Sequence, residues 1–198
     1  MNDLGGPMDS CNPQSCALLV IDVLEGGLAD AADNKAVNDF ANACTRVVKL
    51  CREAGIPVIF LDDAHIPGLD RELNLWGPHG IAGTPEAQPA KCLGRADTDI
   101  VIPKRRYSGF FQTDLDLTLR ELGVTNVIAI GCDTNICVLQ TLADAYFLGY
   151  GSTVVADATM TFLIGNQADG LEYFRRCYDS NVISSDEFET WLKGDVQE

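Results

Sequence analysis

Val127-Ile128-Ala129-Ile130-Gly131-Cys132-Asp133-Thr134-Asn135-Ile136-Cys137-Val138 carries three signals in one stretch. Its first four residues are a continuous apolar run, the pattern of a strand buried on both faces of a parallel sheet. A helical pattern, Leu139 to Leu148, follows it. Cys137 therefore stands where a buried strand turns into a helix. A helix N-terminus carries partial positive charge and unpaired N–H groups. Both favour a thiolate, and the same N–H groups can hold the oxyanion formed when sulfur attacks a carbonyl. Free cysteines also serve as small buried hydrophobes, and this chain has eight cysteines, so context must decide.

Outward from that stretch the same alternation recurs. Ala17 to Ile21 is an apolar run ending in Asp22. Val37, Ala41, Cys44, Val48 and Cys51 then form one face of a helix, closed by Gly55 and Pro57. Pro57 to Leu61 is a second strand, ending in Asp62 and Asp63, and Ile100 to Ile102 a third, followed by Pro103 and Lys104. Leu115, Leu119 and Leu122 mark a helix opened by Thr113, with Asp116 three residues on as a variant capping box. Thr125 to Ile130, Thr153 to Ala156 and Asn181 to Ile183 are further strands. Helices are expected over Asn166 to Tyr178 and after Ser184, which Glu187 caps. Strands alternating with helices predict an α/β fold, a mostly parallel sheet covered by helices on both faces. One domain is expected over residues 15–198, after a flexible leader at 1–14.

Composition bounds the function. A net charge of −15 argues against nucleic acid and anionic membranes as partners. No apolar run reaches the length of a membrane span. The N-terminus lacks the features of a signal peptide. Eight scattered cysteines in a chain able to build its own core argue against a disulfide framework and for a reducing cytoplasm. Cys44 and Cys51 fall on a helix face and are expected to pack.

Asp22, Asp63, Lys104 and Cys137 all lie at the ends of apolar runs. In an open α/β sheet these ends form the ligand-binding edge. Asp22, Lys104 and Cys137 make a coherent chemical set. A lysine ammonium lowers a thiol pKa, so Cys137 is expected below the ordinary cysteine range. A carboxylate can take the thiol proton and later deliver it to a leaving amine. The substrate expected is a small amide, split through a thioester.

Four segments then resemble a known family: LLVIDV at 18–23, PKRRYSGF at 103–110, GCDTNICV at 131–138 and QTLADAYFLGY at 140–150. In this order they are similar to the isochorismatase-like cysteine hydrolases, and within them to the nicotinamidases. The resemblance implies an isochorismatase-like hydrolase fold with Asp22, Lys104 and Cys137 as catalytic triad. It implies a cis peptide between Cys132 and Asp133, and an oxyanion hole from the N–H groups of Asp133 and Cys137. It implies an amidohydrolase that releases ammonia from a small aromatic carboxamide such as nicotinamide. Where nicotinamidases carry Asn-Asp-Phe after the first aspartate, this chain reads Val23-Leu24-Glu25. Asp133 also stands where a small or neutral residue is usual.

Residues 63–95 lack periodicity and hold four prolines and five glycines, the mark of a functional loop. Asp63, His65, Glu72 and His79 within it are two imidazoles and two carboxylates, a set suited to zinc, iron or manganese. The resemblance implies the same divalent metal site, with zinc in the first instance, binding the pyridine nitrogen of the substrate. Trp76, Tyr107 and Phe110 are the candidate pocket walls, Trp76 by its place before His79. The alternatives are a metal-free hydrolase of the same superfamily acting on a ureido or carbamoyl compound or on isochorismate, and a non-catalytic binding protein. A homo-oligomer is expected from the resemblance.

Overall fold

The apolar runs become six strands of one sheet: β1 (Cys16–Ile21), β2 (Val58–Asp63), β3 (Ile100–Lys104), β4 (Asn126–Cys132), β5 (Gly151–Met160) and β6 (Asn181–Ile183). All neighbours pair in parallel, in the order β3-β2-β1-β4-β5-β6. This is a computed structural model, and it describes residues 12–29 and 33–194. The expected leader lies outside the described residues up to position 11. Beyond it, Pro13–Ser15 form a 3-10 turn capped by Asn12 and tied to Thr125 through the Ser15 carbonyl. Among the described residues no helix is long and apolar enough to cross a membrane.

The β1 run faces two ways because strand side chains alternate. Cys16, Leu18 and Val20 pack under α1 (Lys35–Glu53) and α6 (Ser185–Gly194), with Phe40, Val47, Val48, Phe188 and Trp191. Ala17, Leu19 and Ile21 pack on the other side under α3 (Leu115–Glu121), α4 (Leu139–Phe147) and α5 (Gln167–Cys177), with Leu115, Leu119, Leu142 and Phe174. Cys44 and Cys51 are buried packing residues, as expected. Cys16 is disulfide-bonded, whereas Cys44, Cys51, Cys92, Cys132, Cys137 and Cys177 are free.

Caps follow the sequence in part. Ser184 and Glu187 form the reciprocal box: each backbone N–H donates to the other's side chain. At α3 the Thr113 hydroxyl accepts from the Leu115 N–H, whereas Asp116 turns to Arg120 and the Tyr150 hydroxyl. The expected irregular loop contains one further helix, α2 (Glu72–Trp76). A helix of little more than one turn shows no periodicity to read.

The sheet order reverses direction between β1 and β4, and ligands gather at such switch points. Two backbone features shape that crevice. Asp22, directly after β1, has a left-handed φ of 51°. Gly131, near the end of β4, has a φ of 123°. A Cβ there would lie 1.9 Å from the Ile21 carbonyl oxygen. Only glycine lets the two strand ends approach so closely. A shift in the β4–β5 register falls between Ala129 and Gly131.

Gly131→Ala is therefore expected to cost about 3 kcal/mol or more, combining strain and overlap with backbone. Gly149→Ala has a comparable φ of 88° but meets nothing within 4 Å, and should cost only about 1–2 kcal/mol. Urea denaturation of both variants measures the difference.

Candidate active site

Four strand ends deliver four side chains to one point. Lys104, the last residue of β3, is 1% exposed. Its Nζ lies 2.7 Å from Asp22 Oδ2, 2.5 Å from Asp63 Oδ1 and 3.7 Å from Cys137 Sγ. Asp22 Oδ1 in turn accepts the Asp63 backbone N–H at 2.9 Å. The sulfur and an oxygen of each aspartate fall within 4.8 Å of one another, and the ammonium is already among them. That group is thus an ion cluster around Lys104 and not a vacant metal cradle.

Electrostatics here differ from the sequence reading in one respect. Burial pushes the Cys137 thiol well above its ordinary range, outweighing the pull of the Lys104 ammonium. The depressed value expected from Lys104 and the helix terminus is corrected accordingly. Burial, with the Asp63 charge, raises Asp22 to about 6 against the pull of Lys104. For Asp63 burial is outweighed by Lys104 and His65, which lower it to about 2. Burial disfavours charge on Lys104, but Asp22, Cys137 and Asp63 reverse this and hold it well above its usual value. The resting pair can therefore be a neutral thiol beside a carboxylate that accepts its proton.

Cys137 lies in a π-helical turn, Thr134–Val138, ahead of α4. Such turns are rare and recur at functional sites. The Cys132–Asp133 peptide is cis, as the resemblance implied. Cys132 donates its thiol to the Asp22 carbonyl at 3.0 Å and so holds the chain at Asp22. The Asp133 carboxylate turns away from the sulfur. It accepts from Asn135 N at 3.0 Å, Thr161 Oγ1 at 2.6 Å, Phe162 N at 2.6 Å and Leu163 N at 2.9 Å. A small residue could not clamp the 161–163 segment in this way.

The loop supplies the second cluster. Asp63, His65 and His79 each offer a ligand atom within 4.8 Å of the others. His65 Nε2 lies 3.5 Å from Asp63 Oδ2 and 3.7 Å from Glu72 Oε2, and His79 Nε2 lies 3.9 Å from Asp63 Oδ2. The Gly77 carbonyl, 2.8 Å from His79 Nδ1, orients that ring. Both His65 nitrogens and Glu72 Oε2 are buried without a hydrogen-bond partner. Buried polar atoms are rarely left so, and two imidazoles with two carboxylates are a donor set for zinc, iron or manganese. The residues present fit a divalent ion. Behind them Asp70 binds Arg105 and Arg106 and accepts from Ile66 N. It thereby ties the loop to the chain leaving Lys104.

A cavity of about 500 Å³ opens over Cys137. Trp76 and Tyr107 line it, and Trp76 Nε1 donates to the Tyr107 hydroxyl at 2.9 Å. Phe110 does not line it, which corrects its assignment as a pocket wall: its ring packs against Tyr150, 5.9 Å away, on the helix side of the sheet. Phe162, Leu163, Ile136 and Leu24 are walls that the sequence reading missed. Glu25, which stands where nicotinamidases carry the phenylalanine, does not line it; its carboxylate pairs with Lys91, and Gly26 and Gly27 line the cavity beside it.

The fold and this geometry agree with what the chain is similar to. The model of the isochorismatase domain matches residues 16–187. The chain belongs to the isochorismatase family. It is 35% identical to the ureidoacrylate amidohydrolase RutB of Serratia proteamaculans, over 74% of this chain and 70% of that protein. It superposes on N-carbamoylsarcosine amidase from Thermoplasma acidophilum with a TM-score of 0.79 and 32% identity, covering 87% and 97% of the two chains. Against the nicotinamidase PncA from Bacillus subtilis the values are 0.76 and 28%, over 86% and 99%. The superfamily placement stands, and the narrower placement with nicotinamidases is not favoured over ureidoacrylate amidohydrolases.

Purified without chelator, the protein should hold about one transition-metal ion per chain. His65→Ala and Glu72→Ala should each lower that content at least about ten-fold. Plasma emission analysis checks this, and metal-free wild type would remove the assignment.

Proposed function

We propose that the protein is a cysteine-dependent amidohydrolase cleaving the C–N bond of a small carboxamide or ureido compound. The observation that supports this reading most is the Cys137 sulfur beside Lys104 and Asp22 at the floor of an open cavity. In this reading Asp22 takes the Cys137 proton as sulfur attacks the carbonyl carbon. The N–H groups of Asp133 and Cys137 receive the oxyanion. Collapse expels the nitrogen, which takes the proton from Asp22, and water then releases the acyl group from sulfur. Lys104 holds Asp22 and favours the developing thiolate.

Two finer readings remain within this class. The relatives named for ureidoacrylate support a ureido substrate. The partnerless His65 and Glu72 atoms support a metal-containing site of the nicotinamidase kind. A divalent ion held by Asp63, His65, Glu72 and His79 would supply a Lewis-acidic anchor for a substrate heteroatom. Trp76 and Tyr107 would offer flat walls to the remainder of the substrate.

Ammonia release over a panel of aromatic, aliphatic and ureido amides tests the proposal. Cys137→Ala should lose about 10³-fold or more against any substrate found, with unchanged circular dichroism. Retained turnover would end the mechanism.

Asp22 sets a pH dependence whose sign follows from its raised value. Its carboxylate must be ionised to accept the proton, so kcat/KM should fall as pH drops below about 6. For folding the sign is opposite. A raised carboxyl favours the native state below its ordinary value of 3.8, and that contribution is lost as pH rises through about 6. A flat kcat/KM profile from pH 5 to 7 would remove Asp22 as the base.

A further inference from the structure

The cavity over Cys137 has no cationic side chain in its walls. Its lining contains Asp22, Asp63, Glu72, Glu86, Asp133 and His79, with aromatic and aliphatic residues, and neither lysine nor arginine. This holds for the whole chain, because each of the 14 lysines and arginines in the sequence lies among the described residues. Lys104 sits beneath the floor, fully engaged by Asp22 and Asp63. Arg71 and Arg106 line a separate cleft that shares only Glu72 and Tyr107 with this one, and Arg106 is bound to Asp70.

Charge bookkeeping sharpens the point. Asp22 offsets Lys104. Asp63 and Glu72 offset a divalent ion where one is bound. Asp133 and Glu86 carry the remaining negative charge; Asp133 is satisfied by Asn135, Thr161, Phe162 and Leu163, whereas Glu86 is exposed and no described residue gives its carboxylate a hydrogen bond or ion pair. Glu86 belongs to a 3-10 turn, Pro85–Ala87. Its carbonyl accepts from Gly26 N at 2.9 Å, and a Cβ at Gly26 would lie 3.1 Å from its Cβ. The glycine thus makes room for Glu86 against the wall. A carboxylate brought into such a cavity sheds part of its water and meets no cationic side chain, which is unfavourable. Discrimination of this kind comes from the repulsive element as much as from attraction.

We infer that the site takes amides or ureides bearing no anionic group, and that Glu86 enforces this by repelling carboxylates and receiving a donor or cationic group of the substrate. The inference rests on the proposed amidohydrolase reading and narrows it. It sets this chain apart from relatives whose named substrate, ureidoacrylate, is itself a carboxylate.

The test uses two probes of Cys137 that differ in charge and need no knowledge of the substrate. Iodoacetamide is neutral and iodoacetate is anionic. Alkylation of Cys137 by each is followed by peptide mass mapping in native protein as purified and again in urea, where the same thiol provides the intrinsic ratio. Native Cys137 should prefer iodoacetamide by roughly ten-fold more than unfolded Cys137 does, the scale of one partly screened unit charge. Glu86→Lys should bring the native ratio to the unfolded one or below. A native ratio equal to the unfolded one in wild type would overturn the inference, and so would an unchanged ratio in Glu86→Lys. Neither result touches the proposed reaction, which stands or falls on ammonia release by Cys137→Ala.

Discussion

The Lys104 ammonium is the charge around which the site is arranged. An isolated ammonium in a sheet interior would shed its proton. Lys104 keeps its own because two carboxylates from neighbouring strands close on it. That requirement fixes much else. β1, β2 and β3 must end in register, so that Ile21, Leu61 and Ile102 lie side by side before the chain releases Asp22, Asp63 and Lys104. The left-handed turn at Asp22 and the close approach of Gly131 bring the fourth strand end, and with it Cys137, to the same point.

Much of this was legible from apolar runs alone. Each strand is a short hydrophobic stretch, and a side-chain period of two leaves little freedom about which residues face which layer. Asp22, Asp63 and Lys104, which follow the first three runs, were therefore correctly placed at the carboxyl edge, whereas the run read as Thr153 to Ala156 continues to Met160. The loop ligands were legible as residue types but not as an arrangement, since α2, which carries Glu72 and Trp76, is too short to show a period.

What escaped the sequence depends on distance in space. The Asp133 carboxylate is satisfied by a segment nearly thirty residues later, so nothing local announces that it leaves the oxyanion region or that Phe162 becomes a wall. Phe110 misled for the converse reason. In an irregular stretch, three residues of separation from Tyr107 say nothing about direction, and its ring goes to Tyr150 instead. The Cys137 thiol was misjudged because neighbouring charges can be read from a sequence while burial cannot, and here burial is the larger influence.

Asp63 joins two halves of the site through one side chain. Oδ1 grips Lys104, while Oδ2 faces His65 and His79. A carboxylate shared in this way acts as a thermodynamic joint. Any cation held on the histidine side would draw on the same negative charge that steadies the ammonium, and so would alter how readily the sulfur parts with its proton. Linkage makes such an influence mutual: the free energy by which an ion at the histidines shifts thiol ionisation equals that by which ionisation shifts the hold on the ion.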